Sequence, residues 1–189
     1  ENGNAGASQA HFVEGMSIPY RAKLTDLPTD GTVITLTLGY DIKDGSKHAI
    51  DYLTHFDRLE PHTPFGHPAE DVDPTSGILG LSGPVSTFPI PEPSSAGSPA
   101  PGQPATSFNA LPGVERVMTL YGGTITAVTY ASQGDLTAAH AETQVNVTFT
   151  VVNSTAVLAW GGHIASLLDW GVGNSASGIS GSPYHMRLI

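Results

Sequence analysis

The chain has 189 residues, 39% apolar and only 13% charged, with 22 glycines and 15 prolines; the length suits one domain and the composition suits short strands joined by turns. Seventeen acidic residues against seven basic ones give a formal charge of -10, which repels phosphate backbones and anionic lipid surfaces and so argues against nucleic-acid binding or a polybasic membrane contact. Cysteine is absent, which excludes disulfides and thiolate metal sites, and no apolar run approaches the roughly 18 residues that span a bilayer.

Residues 1–16 are small and polar and are expected to form an extended, loosely held N-terminal arm. Its start, ENGNAGASQAH, reads as a mature end left by signal removal. With few lysines (Lys23, Lys43 and Lys47) and many Thr and Ser residues, it suggests an exported surface protein. Ser17–Leu24 is the first plausible strand, LPTDG a turn, and Thr32–Ile42 a strand whose apolar residues recur at a spacing near two. Asp44-Gly45 signals a further turn. Lys47–Leu59 admits a strand or a single helix, because Ala49, Tyr52, Leu53 and Phe56 fit either spacing.

From Pro61 to Pro112 the chain becomes rich in Pro, Gly and Ser. Proline fixes φ and removes a ladder donor, so this stretch cannot supply a central strand. It predicts a surface excursion lying over the sheets, with Phe65, Ile78, Leu79, Leu81, Phe88, Ile90 and Phe108 as anchors. Strand rhythm returns after Gly113 in RVMTLYGG, TITAVTYAS, TQVNVTFTVV, AVLAWGGHIAS and SPYHMRLI. In TQVNVTFTVV, Val145, Val147, Phe149 and Val151 share one face, with Asn146, Thr148 and Thr150 on the other, the pattern of a strand with one wet side. The expected fold is all-β: a single antiparallel β-sandwich, immunoglobulin-like or jelly-roll-like, with a long Pro/Gly/Ser-rich insertion.

Candidate chemistry is sparse. The closing segment holds both tryptophans. Trp160 follows Val157 and Leu158 and reads as core, with Gly161-Gly162 permitting a bulge or close packing. His163 and Asp169 make a weak hydrolytic pair without a nucleophile at a recognisable elbow, and GISGSPY around Ser180 and Ser182 misses the Gly-x-Ser-x-Gly spacing. Among the eight histidines, His55, His62 and His67 lie near Asp57, Glu60, Glu70, Asp71 and Asp73, the densest cluster of potential ligands, with His67, Glu70, Asp71 and Asp73 as the metal candidates. A calcium ion is the cofactor such an acidic loop would take, although the spacing is not that of an EF-hand. The competing reading is a solvated acidic turn. Thr124, Thr126, Thr129, Thr148 and Thr150 define threonine-rich faces, either adhesive or simply the wet side of a sheet.

SIPYRAKLTDLPTDG, GSKHAIDYLTHFDRLEP, LYGGTITAV and VLAWGGHIASLLDWGVGNSASGISGSPYHMRL occur in this order. Together they resemble an uncharacterised domain of large secreted bacterial surface proteins, found beside collagen-adhesin-type and prealbumin-like β modules. The resemblance covers most of the chain outside the Pro-rich insertion and is most specific in the last thirty residues. It implies an extracellular or cell-surface location, a β-sandwich and a non-catalytic role, and it carries no catalytic residues. In multi-module proteins the segment after HMRL runs on, whereas here it stops at Ile189, which suggests a subunit that assembles non-covalently.

Two roles follow as expectations. The first is a structural subunit that self-associates into a filament, tube or sheet, with His11, Phe12 and Val13 of the arm adding a strand to a neighbour. The second is an adhesive or carbohydrate-binding module that contacts a glycan or surface protein through an exposed Trp170 and the tyrosines Tyr121, Tyr130 and Tyr184.

Overall fold

The computed structural model describes residues 12–58, 66, 72–93, 104–180 and 184–189. Strands make up 45% and helices 10%, and two antiparallel sheets pack together as the sandwich that the alternating patterns predict. The first sheet holds β1 (Ser17–Leu24), β4 (Ile50–Thr54), β5 (Val85–Pro89), β6 (Val117–Tyr121) and β9 (Ala156–Ile164). The second holds β2 (Ile34–Asp44), β3 (Lys47–His48), β7 (Gly123–Ser132), β8 (Ala141–Val151) and β10 (Met186–Leu188). Two short helices, α1 (Ala105–Ala110) and α2 (Leu167–Trp170), complete the frame.

Strand β9 organises the first sheet. On one side β1 pairs along it from Ser17↔His163 to Leu24↔Ala156. On the other side β6 takes Val157–Ala159 while β4 meets Gly161, Gly162 and Ile164. Each residue of β9 is buried, as its nearly unbroken apolar run requires. The Gly161-Gly162 pair is there for close approach. A Cβ on Gly161 would overlap Thr54 Oγ1 and lie 2.7 Å from the His55 carbonyl oxygen, and one on Gly162 would lie 2.9 Å from Met186 Cε.

The second sheet runs β10-β2-β8-β7, with β3 joined to β2. Gly45 and Ser46 both take positive φ, 54° and 67°, the two-residue hairpin geometry whose twist suits the flanking strands. Val145, Val147, Phe149 and Val151 of β8 point inward as expected. They meet Leu38, Tyr40, Tyr52, Phe108, Met118, Leu120 and Leu158 in one core. Trp160 belongs to that core.

Three expectations change in detail. Of Lys47–Leu59, the described residues to Arg58 are extended over β3 and β4 and not helical, and Ile50 to Thr54 are buried throughout, which one stripe of a helix cannot achieve. The Pro-rich region contains β5, which pairs only with β6 and ends at Pro89, an edge position compatible with proline. Ile90 and Phe108 anchor this region in the core, whereas Leu79 is 87% exposed. The part of the arm within the described residues is neither extended nor loose. Val13 O accepts from Met16 N at 3.1 Å, Gly15 N donates to Ile164 O at 2.9 Å, and Ile164 N donates to Met16 O at 2.8 Å. Phe12 packs against the chain's own core.

Candidate functional site

An aspartate sits in the middle of β4, between Ile50 and Tyr52, in a strand that is buried from end to end. A carboxylate in that position has to be hydrogen-bonded, and Asp51 is. Its Oδ1 accepts from Trp170 Nε1 at 2.6 Å, and its Oδ2 lies 3.0 Å from His163 Nδ1. Both side chains of the Asp51–His163 pair are almost fully enclosed, at 1% and 5% exposure. Burial raises the Asp51 carboxyl above its ordinary value, with hydrogen bonds from His163 and Trp170 and the charge of His163 opposing this, while Asp169 adds to the rise.

The neighbours of this pair come from β4 itself and from three further elements, α1, α2 and β3. His163 is carried by β9 and its ring stacks on Tyr52 at 4.5 Å and 9°. Tyr52 OH shares a hydrogen bond with Ser107 Oγ of α1 at 2.8 Å, and Ser107 Oγ donates to Asp169 Oδ2 at 3.5 Å. Ser166 caps α2: its Oγ accepts from Asp169 N at 3.1 Å and donates to Asp169 Oδ2 at 2.7 Å. That cap turns the chain so that Trp170 points inward, where it stacks on His48 of β3 at 3.4 Å. Burial, with the charge of Lys43 adding to it, holds the His48 imidazole at about 4. Glu14 clamps the outer side of α2 by accepting from Leu167 N at 3.0 Å and Ser177 N at 2.7 Å.

One chain of hydrogen bonds therefore links β4, β9, α1 and α2, and the stacking of Trp170 on His48 adds β3. Asp51, His163 and Asp169 each place a ligand-capable atom within 4.8 Å of the others. A cavity of about 20 Å³, lined by His48, Asp51, Tyr40, Thr143 and Trp170 among others, lies beside them; this is room for about one water molecule. His163 and Asp169 do come together, as a hydrolytic reading would want, but the serine beside them, Ser166, bonds directly to Asp169 with no imidazole between. That is not the nucleophile–base–orienter order of a triad.

A second group of imidazoles and carboxylates lies at the surface, around a depression of about 480 Å³ lined by Asp41, Lys43, Asp44, His140, Ala141, Glu142 and His185. His140 Nδ1 is 2.9 Å from Asp44 Oδ1, and His185 Nδ1 is 3.6 Å from Asp41 Oδ2. Arg187 grips Asp41 with both terminal nitrogens and also pairs with Glu142, tying β10 to β2 and β8.

The residues anticipated from sequence fare differently. Trp170 is not an exposed contact: it is 4% exposed, because its indole N–H is consumed by Asp51. Tyr184 is half-buried, and its carbonyl accepts from Tyr20 OH at 2.8 Å. Asp73 is exposed and closes a local turn, accepting from Thr75 N at 2.8 Å and Thr75 Oγ1 at 2.6 Å. These hydrogen bonds hold its carboxyl below the usual value. His67, Glu70 and Asp71 lie outside the described residues, as does His11. Phe12 is engaged with its own core, and Val13 is exposed. Asp51 was the residue that sequence reasoning missed; its signal was a lone carboxylate inside the apolar run AIDYL.

The outer face of the second sheet is the other feature of functional interest. Cross-strand register aligns Thr35 with Thr148, Thr37 with Asn146, Asn146 with Thr129, and Thr150 with Thr124. Thr35 and Thr148 hydroxyls meet at 3.2 Å, Thr37 Oγ1 donates to Asn146 Oδ1 at 2.8 Å, and Thr126 Oγ1 donates to the Thr148 carbonyl at 3.2 Å. This patch is made of hydroxyls, methyls and amides, and the charged cluster Asp41, Glu142 and Arg187 borders it on the same face toward β10. Comparison with known proteins adds no relative: no family model matches the chain, and neither a curated protein nor a solved structure matches it.

Proposed function

We propose that this chain is a secreted, non-catalytic structural subunit of an extracellular assembly that self-associates through its sheets. The observation that carries this reading is the uncharged threonine and asparagine patch on β2, β8 and β7, which Asp41, Glu142 and Arg187 border on one side. On a chain of net charge -10, copies repel one another at most orientations. A neutral patch of short, stiff side chains is where they approach at least electrostatic and entropic cost. Among the described residues β1, β5 and β7 each pair along one side only, so strand edges are available for extension. The polar groups best suited to acid–base chemistry, Asp51 and His163, are enclosed and engaged with each other, which supports a role in holding the fold.

Residues 1–11 remain the candidate donor strand, since the proposal no longer needs Phe12 and Val13 to leave their own molecule. The second reading, an adhesive or carbohydrate-binding module, draws on the same hydroxyl face but loses its main aromatic contact with Trp170 inside the fold. Negative-stain electron microscopy of the full chain, of a chain beginning at Phe12 and of Thr37→Lys/Thr148→Lys decides between them. Ordered polymers that the lysine pair abolishes support assembly through the face, and polymers lost only on truncation support strand donation. Monodisperse particles throughout would sink the assembly reading and leave glycan binding to be tested on the same face.

A further inference from the structure

We propose that Asp51, His163 and Asp169 bind one divalent first-row transition-metal ion of the zinc class. Their ligand-capable atoms all lie within 4.8 Å of one another. The Asp51 Oδ2 to His163 Nδ1 separation is 3.0 Å. Two donors on one tetrahedral zinc ion, each about 2.0–2.2 Å from it, stand roughly 3.3–3.5 Å apart, so this pair opens by only a few tenths of an ångström to admit the ion. Asp169 comes from a four-residue helix and is half-exposed. Its ligand atom lies within 4.8 Å of the other two donors, so it makes the largest adjustment, an approach of the short helix with its Ser166 cap bond kept.

The surroundings are those of ligands held in place from behind. Trp170 Nε1 occupies Asp51 Oδ1 at 2.6 Å, which turns Oδ2 toward the imidazole. Ser166 Oγ holds Asp169 Oδ2 at 2.7 Å. The His163 ring is fixed by its stack on Tyr52. Outer hydrogen bonds that orient ligating carboxylates and a clamped imidazole are characteristic of protein metal sites.

Charge points the same way. Two carboxylates and a neutral imidazole sum to minus two, and uncompensated charge beside the almost fully enclosed Asp51 and His163 is costly. A divalent cation with a neutral His163 brings the three groups to zero. Nitrogen with carboxylate oxygen suits zinc and its neighbours, whereas calcium takes six to eight oxygens. Three protein ligands leave one coordination position for water. The ion would join β4, β9 and α2, so its role is to lock the closing segment onto the first sheet.

The test uses the full chain after treatment with a chelator. Titration with cobalt(II) should give the intense visible bands of a tetrahedral nitrogen–oxygen site at one ion per chain, and zinc should displace it. Zinc should also raise the melting temperature by several degrees. Asp169→Asn, a half-exposed change that leaves Asp51 and His163 paired, should weaken zinc at least tenfold by calorimetry. His140→Ala/His185→Ala, which removes the surface imidazoles, should leave affinity unchanged. Absence of stoichiometric binding at micromolar zinc overturns the proposal, and so does an octahedral cobalt spectrum. Binding that survives Asp169→Asn but disappears in the His140/His185 variant also overturns it, by assigning the ion to the surface depression.

Discussion

Trp170→Phe isolates the contact that closes the buried network. Phenylalanine keeps an aromatic ring over His48 but cannot donate to Asp51 Oδ1, the 2.6 Å bond made by the indole N–H. A hydrogen bond to a buried charged acceptor contributes about 1.5–3 kcal/mol, and the smaller ring leaves unfilled volume worth about 1 kcal/mol. The expected loss is therefore about 2.5–4 kcal/mol, a substantial part of the roughly 5–15 kcal/mol that a domain possesses. At about 2–4 °C per kcal/mol for a chain of this size, the midpoint should fall by about 5–16 °C. Urea unfolding at neutral pH, followed by far-UV circular dichroism, measures this without relying on the altered fluorescence. The partner variant Asp51→Asn and the double variant complete a cycle, in which a coupling of at least about 1 kcal/mol is expected. A loss below about 1 kcal/mol, or additive single effects, would refute the view that Trp170 is held inside by Asp51.

Other outcomes follow from the same geometry. His48 is held at about 4 in the folded chain, below its ordinary 6.5, so the unfolded chain binds a proton that the native one does not. Its contribution is present above pH 6.5 and is lost as the pH falls toward 4, by at most about 1.4 kcal/mol per pH unit. His48→Gln should flatten the stability–pH curve in that window, and identical slopes would exonerate His48. Gly161→Ala should cost about 1–3 kcal/mol, because the new methyl meets Thr54 and the fixed His55 carbonyl; thermal unfolding that shows no loss would mean the β4–β9 seam has slack. Arg187→Gln removes the clamp on Asp41 and Glu142. For a partly exposed pair the global loss should be about 1 kcal/mol or less, while amide exchange at Met186–Ile189 should accelerate markedly; unchanged exchange would show that backbone pairing alone holds β10.

The alternation of Val145, Val147, Phe149 and Val151 was sufficient to orient β8, because a half-buried strand writes its two environments into neighbouring residues. SIPYRAKL likewise coincides with β1. Lys47–Leu59 was ambiguous for the opposite reason: β4 is covered on both faces, so no period distinguishes it from a helix. The site was less legible than the strands. Asp51 and His163 are 112 positions apart, and Asp51 and Trp170 are 119 apart, so only the pairing of β4 with β9 and the turn into α2 that follows bring them together. Trp170 looked equally suited to a glycan and to a core, and it was the unrecognised carboxylate that decided. The threonines were visible as a list of residues, but their gathering into one patch across three strands, with Asp41 and Glu142 at its border, depends on register.

The placement of β9 also sets the order in which this protein can be built. Ser17–Leu24 and Ile50–Thr54 leave the ribosome early, yet neither pairs with the other; both wait for Ala156–Ile164. Val117–Tyr121 joins the same late strand. Until β9 is synthesised the first sheet has no centre, and its pieces can only associate transiently. Such long-range pairing makes folding slow and keeps the nascent first sheet open until Ile164 has been synthesised. A truncation before Ala156 should therefore yield an unfolded chain instead of a smaller sandwich.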